Sequence, residues 1–236
     1  MGSATRQGHK LLSVDGKAGI QPDVSIDDIL RDAVDGATAP VDGRTARAQR
    51  TRDAIVDACL ELVGEDDVRP TGPRVASRAG VSVRSVFQHF DDLESLYAAV
   101  SERSSARVAP LIVPIDMSLP LDERILSLVG QRARVLEEIS PVCRAASVHA
   151  PFSAELRRRL HEGHDGMRRQ AVSVFEPELA ALPPERRERF EDVIDAVTSW
   201  PNWNILRTFQ GRSVERAAQT VELVLRSLLV GVDAAD

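Results

Sequence analysis

Two short apolar-faced segments separated by a single glycine constrain this chain more than any other feature. The stretch TGPRVASRAGVSVRSVFQHF runs from Thr71 to Phe90. Thr71 is placed to cap a helix, and Pro73 sits in its first turn, where a missing N–H costs little. After about two turns Gly80 stops that helix, since glycine takes the left-handed conformation a tight turn needs. Ser82 is placed to cap the next helix, which runs to Phe90. Two helices this short cannot stand alone and must lean on a third. RTRDAIVDACLELVGE supplies it, with Ile55, Ala58, Cys59 and Leu62 at helical spacing from Thr45 onward. Asp91 is expected to cap a fourth helix, DLESLYAAVSERS.

The remainder reads as longer helices. Residues 119–139 carry Ile125, Leu128, Val129, Leu136 and Ile139 on one stripe, and Pro141 is expected to start a separate segment reaching Ala150. Ser153 then caps a helix bearing Leu156, Leu160, His164, Met167, Ala171 and Phe175. LPPERRERF restarts the chain at Pro184, and Pro201 is expected to kink or interrupt that helix. Ser213 caps the last, with Val214, Ala217, Val221, Val224, Leu225 and Leu228 aligned. No alternating strand with hairpin turns is visible. The fold class is therefore all-α: an N-terminal three-helix helix-turn-helix unit and a larger C-terminal helical bundle. The expected division is an arm at 1–43, a helix-turn-helix domain at 44–103, and a bundle at 104–236. Within the arm, SIDDILRDAVDG has the pattern of a short amphipathic helix.

Charge adds the next constraint. The chain is acidic overall, at −6. Yet Arg44, Arg47, Arg50 and Arg52 fall within nine residues without an acid, and Arg69, Arg74, Arg78 and Arg84 fall in the acid-free run 68–90. These windows leave the rest of the chain at −14. Phosphate contacts respond to the local field, screened over about 10 Å, so the asymmetry outweighs the total. A helix-turn-helix lays its second helix in the major groove of DNA. Arg84 can grip guanine bidentately, Gln88 can pair with adenine, and Ser85 can serve bases or phosphate. The bland alternative for arginines on a short helix is a solvated face. Phe87 and Phe90 suit packing better than base stacking, and His89 suits a phosphate contact or a helix cap equally.

In these residues the chain resembles the DNA-binding domain of the TetR (tetracycline repressor) family of bacterial transcriptional regulators. The pattern there is roughly T-x-x-x-[IV]-A-x-x-A-G-V-S-x-G-[TS]-[LIV]-[YF]-x-H-F-x-x-K-E-x-L, and it is matched here from Thr71 to Leu96 through Ala76, Ala79, Gly80, Val81, Ser82, Ser85, Val86, Phe87, His89, Phe90, Glu94 and Leu96. The C-terminal helices resemble the family only in number, length and amphipathicity. Arg84 replaces the family's usual glycine, Phe87 its tyrosine and Leu93 its lysine. Two phosphate contacts are thereby lost, and Arg84 with the arginines of the preceding arm is expected to compensate.

The resemblance implies a homodimer on a palindromic operator in double-stranded DNA, released by an unknown small-molecule effector held in the bundle. DNA contacts then fall to Arg44, Arg47, Thr71, Ser82, Val83, Arg84, Ser85, Phe87, Gln88 and His89. Effector-lining candidates are Phe152, His164, Met167, Phe175, Trp200 and Trp203, each of which also suits plain core. Interface candidates are Val193, Val197, Val221, Leu225 and Leu228 on the last two long helices, about 184–209 and 213–230, whose stripes also suit the protomer core.

Other chemistry finds little footing. His161 and His164 are spaced for one turn of metal ligation but lack a clear third ligand. No nucleophile elbow or phosphate-binding glycine loop appears, so no enzyme and no cofactor is expected. Cys59 and Cys143 sit in apolar periodic segments as in a reducing compartment, and with no signal peptide or 18-residue apolar run the expected location is cytoplasmic. The competing reading is an all-α ligand-binding or enzymatic protein in which the helix-turn-helix is only a scaffold.

Overall fold

The computed structural model describes residues 43–233, with side chains as far as residue 229. The amphipathic stretch within 1–42 lies outside the described residues. The chain divides into two units, Met1–Ala46 and Arg47–Asp236, and both hydrophobic cores belong to the second. Every described element is helical: α1 (Gly43–Gly64), α2 (Gly72–Ala79), α3 (Val83–His89), α4 (Leu93–Val108), α5 (Leu121–His149), α6 (Ala154–Val174), α7 (Glu176–Leu179), α8 (Pro184–Thr198), α9 (Trp200–Asn204) and α10 (Val214–Asp233). Short 3-10 turns follow α4 and α5, and a π-helical turn, Ile205–Phe209, follows α9.

The first core gathers Ile55, Cys59 and Leu62 of α1, Val75 and Ala76 of α2, Val86 of α3, Phe90, and Leu96 and Val100 of α4. Ala76, small and 2 % exposed, lies between α2 and its neighbours in this core. Val142 and Ala145 of α5 complete this core. The second gathers Ile125, Leu128 and Leu136 of α5, Ala171 and Phe175 at the end of α6, Ile194 of α8, Trp203 of α9, and Ala217, Val221 and Leu225 of α10. Helix α5 thus belongs to both.

That shared membership explains one departure from the sequence reading. Pro141 does not end a helix; α5 runs through it for 29 residues. The proline removes the hydrogen bond that an N–H there would give Glu137. Leu136 on one side and Val142 on the other are each locked into a core, and packing of that kind outweighs one lost bond. Two caps also differ. Asp92, not Asp91, caps α4, accepting from Ser95 N at 2.8 Å while the Ser95 hydroxyl answers the Asp92 N–H. Thr71 has cap geometry in its backbone but no side-chain bond. The cap at Ser153 forms, with Leu156 N donating at 3.1 Å, and so does that at Ser213. The helix expected over 184–209 is interrupted at Ser199, whose extended backbone precedes Trp200 and Pro201.

Candidate nucleic-acid interface and ligand cavity

The turn between α2 and α3 is closed by main-chain bonds. Gly80 sits at φ 67°, its N–H reaching back to α2, and Val81 N donates to Ala76 O at 3.0 Å. Ser82 then caps α3, its hydroxyl accepting from Ser85 N at 3.0 Å. Val86 is fully buried beneath α3. That leaves Val83, Arg84, Phe87 and Gln88 exposed on one face, with Ser85 and His89 half-buried at its margins. Arg84 makes no ion pair among the described residues. Thr71 is exposed at the start of α2, and Arg44 and Arg47 are exposed in the first turns of α1.

Phe87 has a structural job as well as an outward edge. Its ring lies over Gly72, where an added Cβ would come within 3.2 Å of it. The glycine therefore leaves room for the ring to bridge α3 to the start of α2.

The basic windows are less free than the bare run of sequence suggests. Arg78 is held by Glu65 at 2.8 Å and Glu61 at 3.4 Å, and this pairing holds the Glu65 carboxyl below its usual range. Arg74 pairs with Asp67 at 2.6 Å. Arg52 turns inward onto α3 itself, donating from Nη1 to the His89 carbonyl at 2.7 Å, with its guanidinium 4.1 Å from the centre of the Phe90 ring. The acids responsible lie just outside the acid-free windows, at the end of α1 and the loop after it. The unit is also braced where it begins. Tyr97 of α4 donates to the Pro70 carbonyl at 2.7 Å, and the His149 ring, stacked on Tyr97 at 4.5 Å, lies 3.2 Å from the Val68 carbonyl.

The helices after α3 line a cavity of about 660 Å³ that opens to solvent. Its wall is built by Ser101 and Ser104 of α4, Val142 and Cys143 of α5, Leu160 of α6, and Ser199 before α9. Burial pushes the Cys143 thiol up to about 12, which disfavours the thiolate. Cys59 and Cys143 are both free thiols. Of the six effector candidates, His164, Met167 and Trp200 stand in this wall. Phe152 does not: it is 85 % exposed in the turn after α5. Phe175 and Trp203 do not either, because both are sealed in the second core. Each indole near Pro201 has found an acceptor, Trp200 at Ser140 Oγ (3.2 Å) and Trp203 at Glu137 (2.7 Å). His164 is not a core histidine; it is exposed and lies 3.0 Å from Asp195. The small wall residues Ser104 and Cys143 carried no sequence signal, since hydroxyls and thiols at helical spacing read as filler.

The interface candidates also separate. Val221 and Leu225 are buried within the protomer's own core, and Val197 and Leu228 pack partly against it. Val193 is exposed. Among the described residues, the large apolar positions of α10 that face outward are Leu223, 64 % exposed, and Val224. The wide stripe on α10 thus divides, one side inward and one side out.

No family model and no curated protein matches the chain. Solved structures do. A TetR-family transcriptional regulator from Streptomyces coelicolor superposes with a TM-score of 0.58 at 21% identity, covering 80% of this chain and 84% of its own. A transcriptional regulator from Rhodococcus sp. Rha1 gives 0.57 at 17% identity, over 78% and 96%. One from Saccharomonospora viridis, solved in complex with choline, gives 0.55 at 17% identity, over 75% and 96%. No described helix is long and apolar enough to cross a membrane. With its glycine-turned helix pair, ten described helices and coverage of most of each neighbour, the chain has the all-α fold of the TetR-family transcriptional regulators.

Proposed function

We propose that the protein is a cytoplasmic, homodimeric transcriptional regulator, a repressor that leaves a palindromic operator when a small molecule binds in its helical bundle. The observation that carries this reading is the outward face of α3. Val83, Arg84, Phe87 and Gln88 project from a helix capped by Ser82 and set by the Gly80 turn, a shape suited to major-groove entry. Arg84 and Gln88 are the base readers, with Ser85 and His89 at the margin. Arg44, Arg47, Thr71 and Ser82 address the phosphates. The expected division at 44–103 and 104–236 describes roles, and the cavity wall draws Ser101 from the first part and its other residues from the second.

The cavity supports the ligand-responsive part, since about 660 Å³ falls in the range that holds a small organic molecule. His164, Met167 and Trp200 are its proposed contacts, and the choline complex of the Saccharomonospora regulator is a precedent for a small ligand on this fold. The effector acts by favouring a conformation whose two reading helices no longer match the operator spacing. Val193, Leu223 and Val224 supply the apolar face for the second copy.

The test is a fluorescence-anisotropy titration on palindromic duplexes that the protein itself enriches from a random-sequence pool. Tight binding that falls steeply with salt supports the regulator. Failure to enrich any duplex favours a ligand-binding or enzymatic protein in which the helix-turn-helix is scaffold.

A further inference from the structure

The geometry points to Arg52 as the residue that positions the reading helix, acting from α1 through the helix's C-terminal carbonyl and not as a phosphate contact. This rests on the proposed regulator function.

Helix α3 has only seven residues. A helix that short has no stability of its own, and its last carbonyls lack intrahelical donors. Its N-terminal end is fixed locally by Ser82. Its C-terminal end has no glycine and no left-handed cap: Phe90 leaves in extended conformation at φ −138°, and its N–H returns to Val86 O. The donor for the end comes from 37 residues earlier in the chain. Arg52 Nη1 reaches the His89 carbonyl at 2.7 Å. A cation there also suits the negative end of the helix dipole.

The second contact fixes direction as well as distance. The Arg52 guanidinium lies 4.1 Å from the centre of the Phe90 ring, and Phe90 is itself buried in the first core. A planar group held by a ring on its face and a carbonyl at its edge has little freedom left. With Val86 buried in the core shared with α1, this side chain constrains the rotation and height of α3 at its C-terminal end. Gln88, one residue before the clamped carbonyl, and Arg84, five residues before it, inherit that setting.

The roles separate in DNA binding. The probes are a palindromic duplex enriched by the wild-type protein and a scrambled duplex of equal length, each titrated over a salt series with the full chain. For Arg52→Gln, affinity for the enriched duplex is expected to fall by about tenfold while the scrambled duplex and the salt slope stay unchanged. Arg52→Lys keeps the charge but loses the planar stack; it is expected to fall by less, again only on the enriched duplex. Thermal unfolding of each variant identifies any loss that comes from misfolding, and the lysine variant carries the test if the glutamine one fails to fold. A parallel loss on both duplexes, with the slope shrinking by about 0.9 per lost phosphate contact, overturns positioning in favour of a phosphate contact. Unchanged affinity on both duplexes overturns it too. If the wild-type chain enriches no duplex, the regulator reading itself falls, an outcome distinct from a wild type that binds and variants that match it.

Discussion

Replacing Arg132 by methionine should make the protein more stable. Arg132 lies in α5 and is 2 % exposed. Its Nη2 donates to the Met167 carbonyl at 2.5 Å, while Nε and Nη1 have no hydrogen-bond partner among the described residues. Burial pushes its pKa from the ordinary guanidinium value down to about 10, although the Asp195 carboxylate pulls the other way. That displacement corresponds to a cost of about 3 kcal/mol. The sign follows from proton linkage. The folded state holds this proton less tightly than the unfolded state, so the cost is present in full below about pH 10 and fades only as pH rises beyond it. At neutral pH nothing relieves it. Arg132→Met removes the buried charge and keeps most of the volume, and forfeits one hydrogen bond of about 1–2 kcal/mol. The Met167 carbonyl lies inside α6, where the helix ladder supplies its own donor. The net gain is about 1–2 kcal/mol, which raises the thermal midpoint by about 3–6 °C in a chain of this size. Urea unfolding at neutral pH gives the free energy directly. A loss of about 1 kcal/mol or more would mean that an acceptor satisfies Nε and Nη1, and would refute the reasoning.

Arg124, eight residues earlier, should behave in the opposite way. It meets Glu178 with both Nη atoms, Val174 O at 2.6 Å and Leu119 O at 3.0 Å, so Glu178→Ala strands a buried charge and should cost about 3–5 kcal/mol in the same urea assay. Ser82→Ala removes the α3 cap and should cost about 1 kcal/mol, with a matching loss of affinity for an enriched duplex. Arg84→Ala should weaken that duplex by about 1–3 kcal/mol and relax the preference at one base pair per half-site, as read by competition with single-site variants. Leu223→Asp, placing a charge on the outward side of α10, should shift the protein to monomer in sedimentation without changing its helical content.

The reading unit is legible in the sequence because its signals are local. Gly80 and Ser82 act within a few residues of themselves, and each does what its chemistry predicts. The errors share a cause in distance. Arg52 reads as one of the four arginines of the first acid-free window because its partner is 37 residues away. Arg78 reads as free because Glu61 and Glu65 lie across a loop. Pro141 reads as a boundary because local propensity cannot weigh the two cores its helix joins. Aromatic size misleads at Phe175 and Trp203, since a large apolar ring suits a sealed core as well as a cavity wall. The stripe on α10 reveals that an apolar face exists, but not which side of it turns toward the protomer's own core.

The membership of α5 in both cores has a consequence for how the protein can be taken apart. Val142 and Ala145 plug the core beneath the reading unit, while Leu136, two turns earlier, is packed in the bundle. A fragment ending near residue 103 keeps every residue proposed to face DNA but exposes the apolar patch those two side chains covered. It is unlike a bead on a string: melting either half pulls a shared rod out of the other, so both should unfold in one calorimetric transition. Grafting this reading head onto another sensor therefore means carrying the end of α5 with it.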